Sequence, residues 1–577
     1  MITSSYDFDV AIIGGGPGGS TLGALLKKYR PDFRVLILEK EKFPRDHIGE
    51  SQLPPISRIL EEMGCWDAVE AADFPIKVGA TFRWGSRKDL WDFEFLPLKD
   101  FKDEPRPAKY AGQRLHTAFQ VDRSVYDKIL LDHAASLGCD VREQTQVTDV
   151  PATGDHVDGL LLKDGSRVTA RWYIDATGHI GLLRRKLNVP VDLVTSLQNI
   201  AIWKYYQNAE WAINIGVGGT RIQIMSQSDG WLWFIPLSPT RSSLGFVCPA
   251  EHYKSLGLTP EQVFQDAVAR DDRIAPLVAN ATPEPEIYTT KDWSFCADRT
   301  FGENWFLVGE AAGFADPILS AGLTLTHTGA RELAYTIIAL DEQSHDPNWL
   351  RHHYDLNQRA RVRQHIRFAD FWYAANGQFT DLKENCAKIA SDSGLKLSPD
   401  AAWRWLAQGG FANDFAGQAG IGGFDLAGAK QITQILTDKD VKWKISESNV
   451  FKMNLVGADH EKVPLYENGR IRPVECYVRD GHRLVLVGHY QLLAEILKKT
   501  SDAATIYQSL IASFASRVPE LHARVLAKHA LNSLEVLLSE GWINASLDKK
   551  RPLLNVTTPR EGAFIHASQP VQPKPAH

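Results

Sequence analysis

The run Asp7-Phe-Asp-Val-Ala-Ile-Ile13 is apolar after its entrance and ends in glycine, which predicts a short buried strand entering a tight turn. Apolar positions from Leu22 to Leu26 then follow helical spacing, and Val35–Glu39 forms a second apolar run. Strand, helix and strand in quick succession read as a β-α-β unit, so a parallel sheet with crossover helices is expected. A helix is expected from Ser124 to Leu137, with apolar residues on one face. Residues 141–178 read as hairpin strands turning at Asp164-Gly165, and the alternation between 199 and 248 predicts an antiparallel sheet. Trp305-Phe-Leu-Val308 is another buried strand, followed by a glycine-rich turn and a long helix ending near Leu340.

Residues 80–120 mix aromatics, charges and prolines, as strands and loops of an inserted substrate region would. From 351 to about 408 the pattern is helical, and the glycine-dense stretch 409–428 reads as a loop or linker. Beyond about 440 short strands appear (Val450–Leu455, Val474–Tyr477, Arg483–Val487), then helices through 540. The expected organisation is a core over 1–350, including a substrate-region sheet from about 75–120 and 195–300. A helical extension over 351–438, an α+β C-terminal domain over 439–565 and a disordered tail over 566–577 follow.

Composition narrows the class. At 577 residues, 44% hydrophobic and 23% charged, the chain is too long for one ordinary domain and has the balance of a soluble globular protein. A net charge of -6 argues against a nucleic-acid partner. The six cysteines are scattered without a C-x-x-C, so neither a zinc site nor a disulfide framework is expected, and no metal. No signal peptide and no apolar run of membrane-spanning length is evident, so a cytoplasmic protein without a membrane partner is expected.

Three features suggest chemistry. Gly14, Gly16 and Gly19 form G-x-G-x-x-G between strand and helix, where backbone can approach a pyrophosphate closely and the helix N-terminus favours its charge. Glu39, at the end of the second strand, is placed to bind a ribose hydroxyl pair, with Lys40 beside it. The string Trp231-Leu-Trp-Phe-Ile-Pro236 on a strand puts the indoles of Trp231 and Trp233 on one face. Taken alone, that string is equally a strand burying two tryptophans in a core. Lys77 stands among apolar neighbours in Phe74-Pro-Ile-Lys-Val-Gly79; a lone lysine is usually a solvated charge, but a buried ammonium has a lowered pKa and becomes a tunable donor or nucleophile.

Together these segments resemble the flavin-dependent halogenases. Trp231, Trp233, Ile235 and Pro236 match their W-x-W-x-I-P signature, and Phe43-Pro-Arg-Asp-His-Ile-Gly-Glu-Ser51 is similar to their P-R-x-x-I-G-E-S segment, which holds Arg45. The resemblance places Gly49-Glu50-Ser51 of that segment near the isoalloxazine; a plain polar loop is the alternative. Val308-Gly-Glu-Ala-Ala-Gly-Phe-Ala-Asp-Pro317 resembles the second nucleotide motif of FAD monooxygenase-like folds, with Glu310 where Asp is usual; Gly309, Glu310 and Asp316 are its cofactor candidates. Arg123 matches the arginine such folds use beside the cofactor, or it makes a helix-start salt bridge. The turn Asp316–Leu323 resembles the halide-holding turn, so Ser320, Ala321 and Gly322 are halide candidates; a plain helix entry is the alternative. Asp175-Ala-Thr-Gly178 is similar to a family motif at the adenosine end.

The resemblance implies an α/β fold: an FAD-binding, doubly wound core of the glutathione-reductase and monooxygenase type, an antiparallel-sheet substrate region and an α+β C-terminal domain. It implies FAD, supplied as FADH2 by a separate flavin reductase, with O2 and chloride or bromide. A flavin C4a-hydroperoxide would oxidise halide to hypohalous acid, which passes Trp231 and Trp233 to the catalytic Lys77. Tryptophan halogenases have a catalytic Glu in the corresponding turn, where this chain has Leu319. A phenol or tyrosyl group, as a small aromatic or bound to a carrier protein of nonribosomal peptide synthesis, is therefore the expected acceptor. The alternatives are an aromatic hydroxylase of the same fold and a noncatalytic flavin-binding docking protein.

Overall fold

The computed structural model describes residues 6–375, 443–554 and 565–567, apart from 85–89, 97–100, 194–196, 217, 292–293, 480–481 and 517–519. The described residues fall into two compact units. The first lies within Met1–Asp370, with Tyr466–Ile471 and from Ala567 on; the second lies within Phe371–Leu465 and Arg472–His566.

The first unit is built on a five-stranded sheet in the spatial order Trp305–Leu307, Ala170–Asp175, Phe8–Ile13, Val35–Leu38, Asp140–Arg142. All neighbours in it are parallel, as buried apolar runs with helical crossovers require. Because side chains alternate across a strand, Val10 and Ile12 enter one core while Ala11 and Ile13 enter another. The first core takes Leu22, Leu25 and Leu26 of the helix Pro17–Tyr29, Leu130 of the helix Arg123–Ser136 and Leu333 of the helix Gly322–Asp341. These three helices begin at the same end of the sheet as the strand C-termini. That is where an α/β sheet binds ligands.

A second, mixed sheet joins segments that are far apart in sequence. Strands Asn199–Gln207, Arg241–Pro249, Gly230–Pro236 and Gly219–Gln227 lie side by side in that order, all antiparallel. Ile76–Arg83 then adds to Gly219–Gln227 in parallel, and Trp91–Glu94 closes on it antiparallel. The expected antiparallel substrate sheet is thus mixed, because the chain reaches this edge from the nucleotide unit rather than by a hairpin. One face of the sheet packs Met225, Leu232, Phe234, Leu244 and Phe246 against Val263 and Phe264 of the helix Pro260–Ala269. The other face is left for the site described below.

In the second unit, strands Val450–Met453 and Ile543–Ser546 pair antiparallel, and helices Gly488–Leu497, Ala503–Ala515 and Glu520–Ser539 form a core with Trp443, Phe451 and Trp542. The helical pattern from 351 is realised in the helix Pro347–Ala375. Its expected continuation to 408 and the glycine-dense stretch 409–428 lie outside the described residues. Residues Ile565–Ala567 form a short strand where the tail was expected to begin; the remainder of 566–577 lies outside the described residues. Among the described residues no helix is long and apolar enough to cross a membrane.

Candidate active site

A cavity of about 600 Å³ opens at the C-terminal end of the parallel sheet. Gly14 ends the first strand with φ +109°, a conformation that favours glycine, and a Cβ there would stand 2.8 Å from the Ala176 carbonyl carbon. Gly16 caps the helix Pro17–Tyr29 without any side-chain cap, so its first amides remain available to an anion. The Glu39 carboxylate accepts hydrogen bonds from the amides of Gly15 (2.8 Å) and Glu41 (2.9 Å), which hold it at the strand end. Gly14, Gly16, Glu39, Lys40 and Arg45 all line the cavity. Gly19 does not; it lies in the helix, packed against the turn at Gly14.

Arg123 also lines the cavity, and it is a helix-start ion pair at the same time. Its Nε donates to Asp127 at 2.6 Å, and Nη1 donates to the carbonyls of Ile48 (2.8 Å) and Gly49 (3.1 Å). Burial opposes its charge, but Asp127 and then Glu310 outweigh that, and its pKa is raised. Glu310 lines the cavity too, and burial raises its pKa against the pull of Arg123 and His179. Gly309 and Asp316 are not among the lining residues: Gly309 packs against Thr326, and Asp316 accepts the Ile318 amide at 2.9 Å, capping the turn Pro317–Leu319.

That cap shapes the next residues. Ser320 follows in the left-handed region at φ 58°, a strained setting for a residue with a side chain. Ser320, Ala321 and Gly322 line the cavity where the helix Gly322–Asp341 begins, and Ala321 provides no side-chain cap. The helix Gly322–Asp341, like the helix after Gly16, thus begins at the cavity without a side-chain cap.

The opposite wall is the free face of the mixed sheet, where Ile222, Ile224, Trp231, Trp233 and Ile235 alternate inward. The two indoles sit 6.0 Å apart, and Trp84 packs edge-on against Trp231 at 6.3 Å. Trp233 lies over Gly245 of the neighbouring strand and donates from Nε1 to the Ser243 hydroxyl at 3.1 Å. Glu50 and Ser51 line the cavity beside this wall, and Ser51 bridges to Gln120. Burial pushes the Glu50 carboxyl up to about 7.

Lys77 is not among the cavity-lining residues. It is the second residue of the strand Ile76–Arg83, only 2% exposed, opposite Thr220 on one side and Ala118 on the other. The register shifts just beyond Thr220, where Arg221 pairs with Gly79, and such a bulge breaks the side-chain alternation. Its ammonium lies 5.6 Å from the Phe95 ring centroid. Burial lowers its pKa to about 7.

Sequence reasoning put Gly49-Glu50-Ser51 beside the ring system without giving Glu50 a role of its own, and it missed Trp84, Ser243 and Gly245. A glycine inside the apolar strand Leu244-Gly-Phe246 was a usable signal, because such a glycine marks close approach. Two uncapped helix ends, a fixed carboxylate at the second strand and an apolar wall around one cavity suit an anionic dinucleotide with a flat ring system. A Cβ at Gly16 would come no nearer than 3.6 Å to another atom, so the space before the helix is open. The residues fit FAD.

Comparisons with known proteins point the same way. Residues 9–105 and 97–382 match the family described as tryptophan halogenase. The 1H-pyrrole-2-carbonyl-[peptidyl-carrier protein] chlorinase of Pseudomonas fluorescens is 30% identical over 395 residues, 65% of this chain and 86% of that protein. The structure of the myxobacterial chondrochloren halogenase CndH, an FAD-dependent halogenase, is similar with a TM-score of 0.58 and 28% identity, over 75% of this chain and 97% of that one. The flavin-dependent halogenase CmlS shares the fold over 95% of this chain and 97% of its own, with a TM-score of 0.69 and 23% identity.

Proposed function

Because the chain belongs to the tryptophan halogenase family and is a flavin-dependent halogenase, we propose that it chlorinates an electron-rich aromatic ring, a phenol or tyrosyl group held on a peptide or carrier protein. The acceptor class is supported by Leu319, which stands where tryptophan halogenases have a catalytic Glu. A carrier-bound acceptor is supported by the similarity to the pyrrole chlorinase named for its peptidyl-carrier substrate.

Reduced FAD from a separate reductase, when bound, supplies together with O2 the two-electron oxidation of halide to hypohalous acid. The chain's own groups do the rest. Gly14, Gly16 and the helix amides hold the pyrophosphate, Glu39 and Lys40 the ribose end, and Arg45, Arg123 and Glu310 the polar edge of the cofactor. Ser51 supports the loop against the ring system, and Gly309 and Asp316 shape the turn behind it. Backbone at Ser320, Ala321 and Gly322 holds the halide. Trp231 and Trp233 keep the organic ring out of the cavity, which prevents direct oxygen transfer to it. Lys77, poised between charged and neutral near pH 7, holds hypohalous acid and aims its halogen at carbon.

The observation that carries this reading is the division of the site: Trp231 and Trp233 line the cavity while buried Lys77 lies outside its lining. The test separates the two halves. With reduced FAD, O2 and chloride, Lys77→Ala should still yield hypochlorous acid to a soluble trapping amine, while aromatic chlorination falls by about 10²-fold or more. Chlorination at the wild-type rate by Lys77→Ala would remove the lysine from the mechanism.

A further inference from the structure

Glu50 is the one buried carboxyl of the cavity whose role nothing above explains. It is 2% exposed and lines the cavity, and its Oε2 is buried without a hydrogen-bond partner among the described residues. Its backbone is fixed: the carbonyl accepts from Val121 at 2.7 Å, and Ser51 next to it bridges to Gln120. The side chain is buried against the cavity rather than turned to solvent.

Among the described residues its carboxyl makes no ion pair; only the more distant Arg241 pulls on it, less than burial pushes. Arg123, the guanidinium on the cavity side, is committed to Asp127 and to the carbonyls of Ile48 and Gly49. Arg241, behind it, is committed to Asp46, Asp122 and Glu284 and stacks on Tyr205. Asp122 adds negative charge from the neighbouring segment, and His47 on its own loop is held neutral by burial. The polar groups of the strands behind it that do bear on the carboxyl are the hydroxyls of Tyr205 and Ser243. A carboxyl so placed is stable with its proton on, and the two hydroxyls can stabilise the anion briefly once the proton leaves.

Halide oxidation consumes such a proton: reduced FAD + O2 + X⁻ + H⁺ gives FAD + HOX + H2O, with halide losing two electrons and O2 taking them together with the two of the flavin. We propose that Glu50 is the proton donor of the cavity, its O–H bond breaking as the halide is oxidised and its carboxylate being reprotonated from solvent before the next turnover. The role rests on the halogenase reading and adds a residue to it. Ser243 ties the donor to the wall, since the same hydroxyl accepts the Trp233 indole.

The test uses the full chain and Glu50→Gln, which keeps size and polarity but cannot give up a proton. Hypohalous acid formation by the wild type, read with a trapping amine, should fall as pH rises through about 7, the protonated carboxyl being the active form. Glu50→Gln should lose about 10²-fold of that rate and the pH limb with it, while binding oxidised FAD, by fluorescence quenching, within twofold of wild type. The flavin-free protein supplies an independent readout: its infrared difference spectrum should show a protonated carboxyl titrating near neutral pH and missing from Glu50→Gln. Wild-type rate and pH limb in Glu50→Gln, or no such infrared band in the wild type, would overturn the assignment. If the wild type itself forms no hypohalous acid with chloride or bromide while the infrared band is present, the halogenase reading fails instead.

Discussion

Gly245→Ala tests whether the tryptophan wall is set by backbone packing. Gly245 lies directly opposite Trp233 on the neighbouring strand, and an alanine Cβ there would stand 2.2 Å from Cζ2 and 2.6 Å from Cε2 of the indole. Carbon atoms pack at about 3.5–4.0 Å, so the ring must withdraw by more than about 1 Å. The withdrawal breaks the 3.1 Å bond from Nε1 to Ser243, a loss of about 1 kcal/mol. Overpacking in a closed core costs about 1–3 kcal/mol, but this ring has the cavity on its other side and can escape into it. The expected destabilisation is therefore about 1–2 kcal/mol, read by urea unfolding. The displaced ring narrows the cavity, so FAD affinity, read by fluorescence titration, should fall about tenfold, equivalent to about 1.4 kcal/mol. In a Trp233→Leu background the same alanine should cost under about 0.5 kcal/mol, the difference being the coupling between the two sites. Wild-type stability and FAD affinity in Gly245→Ala would refute the reasoning.

Other consequences concern buried titratable groups. Lys77 has its pKa lowered to about 7 by burial, so between about pH 7 and 10.5 the unfolded chain binds a proton that the folded chain does not. Stability should rise with pH across that window by up to about 1.4 kcal/mol per pH unit; Lys77→Met should remove that rise and raise stability at pH 7 by a few kcal/mol, on the order of 2–4, measured by urea unfolding across pH. His327 joins Thr21 (2.8 Å) and Tyr126 (2.9 Å) between three helices. His327→Leu should strand both hydroxyls and destabilise by about 2–4 kcal/mol. Burial lowers its pKa to about 3, so the wild type should lose stability as pH falls from about 6.5 toward 3. The variant should lack that histidine's share of the slope, as acid titration followed by circular dichroism would show.

How legible the site was depended on whether its cause is local. The turn at Gly14 is dictated by a backbone conformation within a few residues, and the strand-turn-helix pattern displays it directly. The strand containing Trp231 and Trp233 was visible by alternation alone. The placement of Lys77 was not, because the bulge between Thr220 and Arg221 comes from pairing with a strand about 140 residues further along the chain. Pairing of that range also made the second sheet mixed rather than antiparallel. Asp316 and Gly309 stand in a motif as cofactor candidates, and only the structure shows that Asp316 caps the turn Pro317–Leu319 and that Gly309 packs against Thr326. The segment Gly49-Glu50-Ser51 was legible as a motif, but Glu50 as an acid was not, since only the tertiary arrangement shows that Arg123 and Arg241 are committed to other carboxylates.

The central claim is that product formation requires halide. The most direct measurement supplies the purified chain with reduced FAD, O2 and a panel of free and carrier-tethered phenols, with and without chloride or bromide, and reads the products by mass spectrometry. A product bearing halogen only when halide is present is the predicted result. A hydroxylated product formed equally well without halide would contradict it and identify an aromatic hydroxylase.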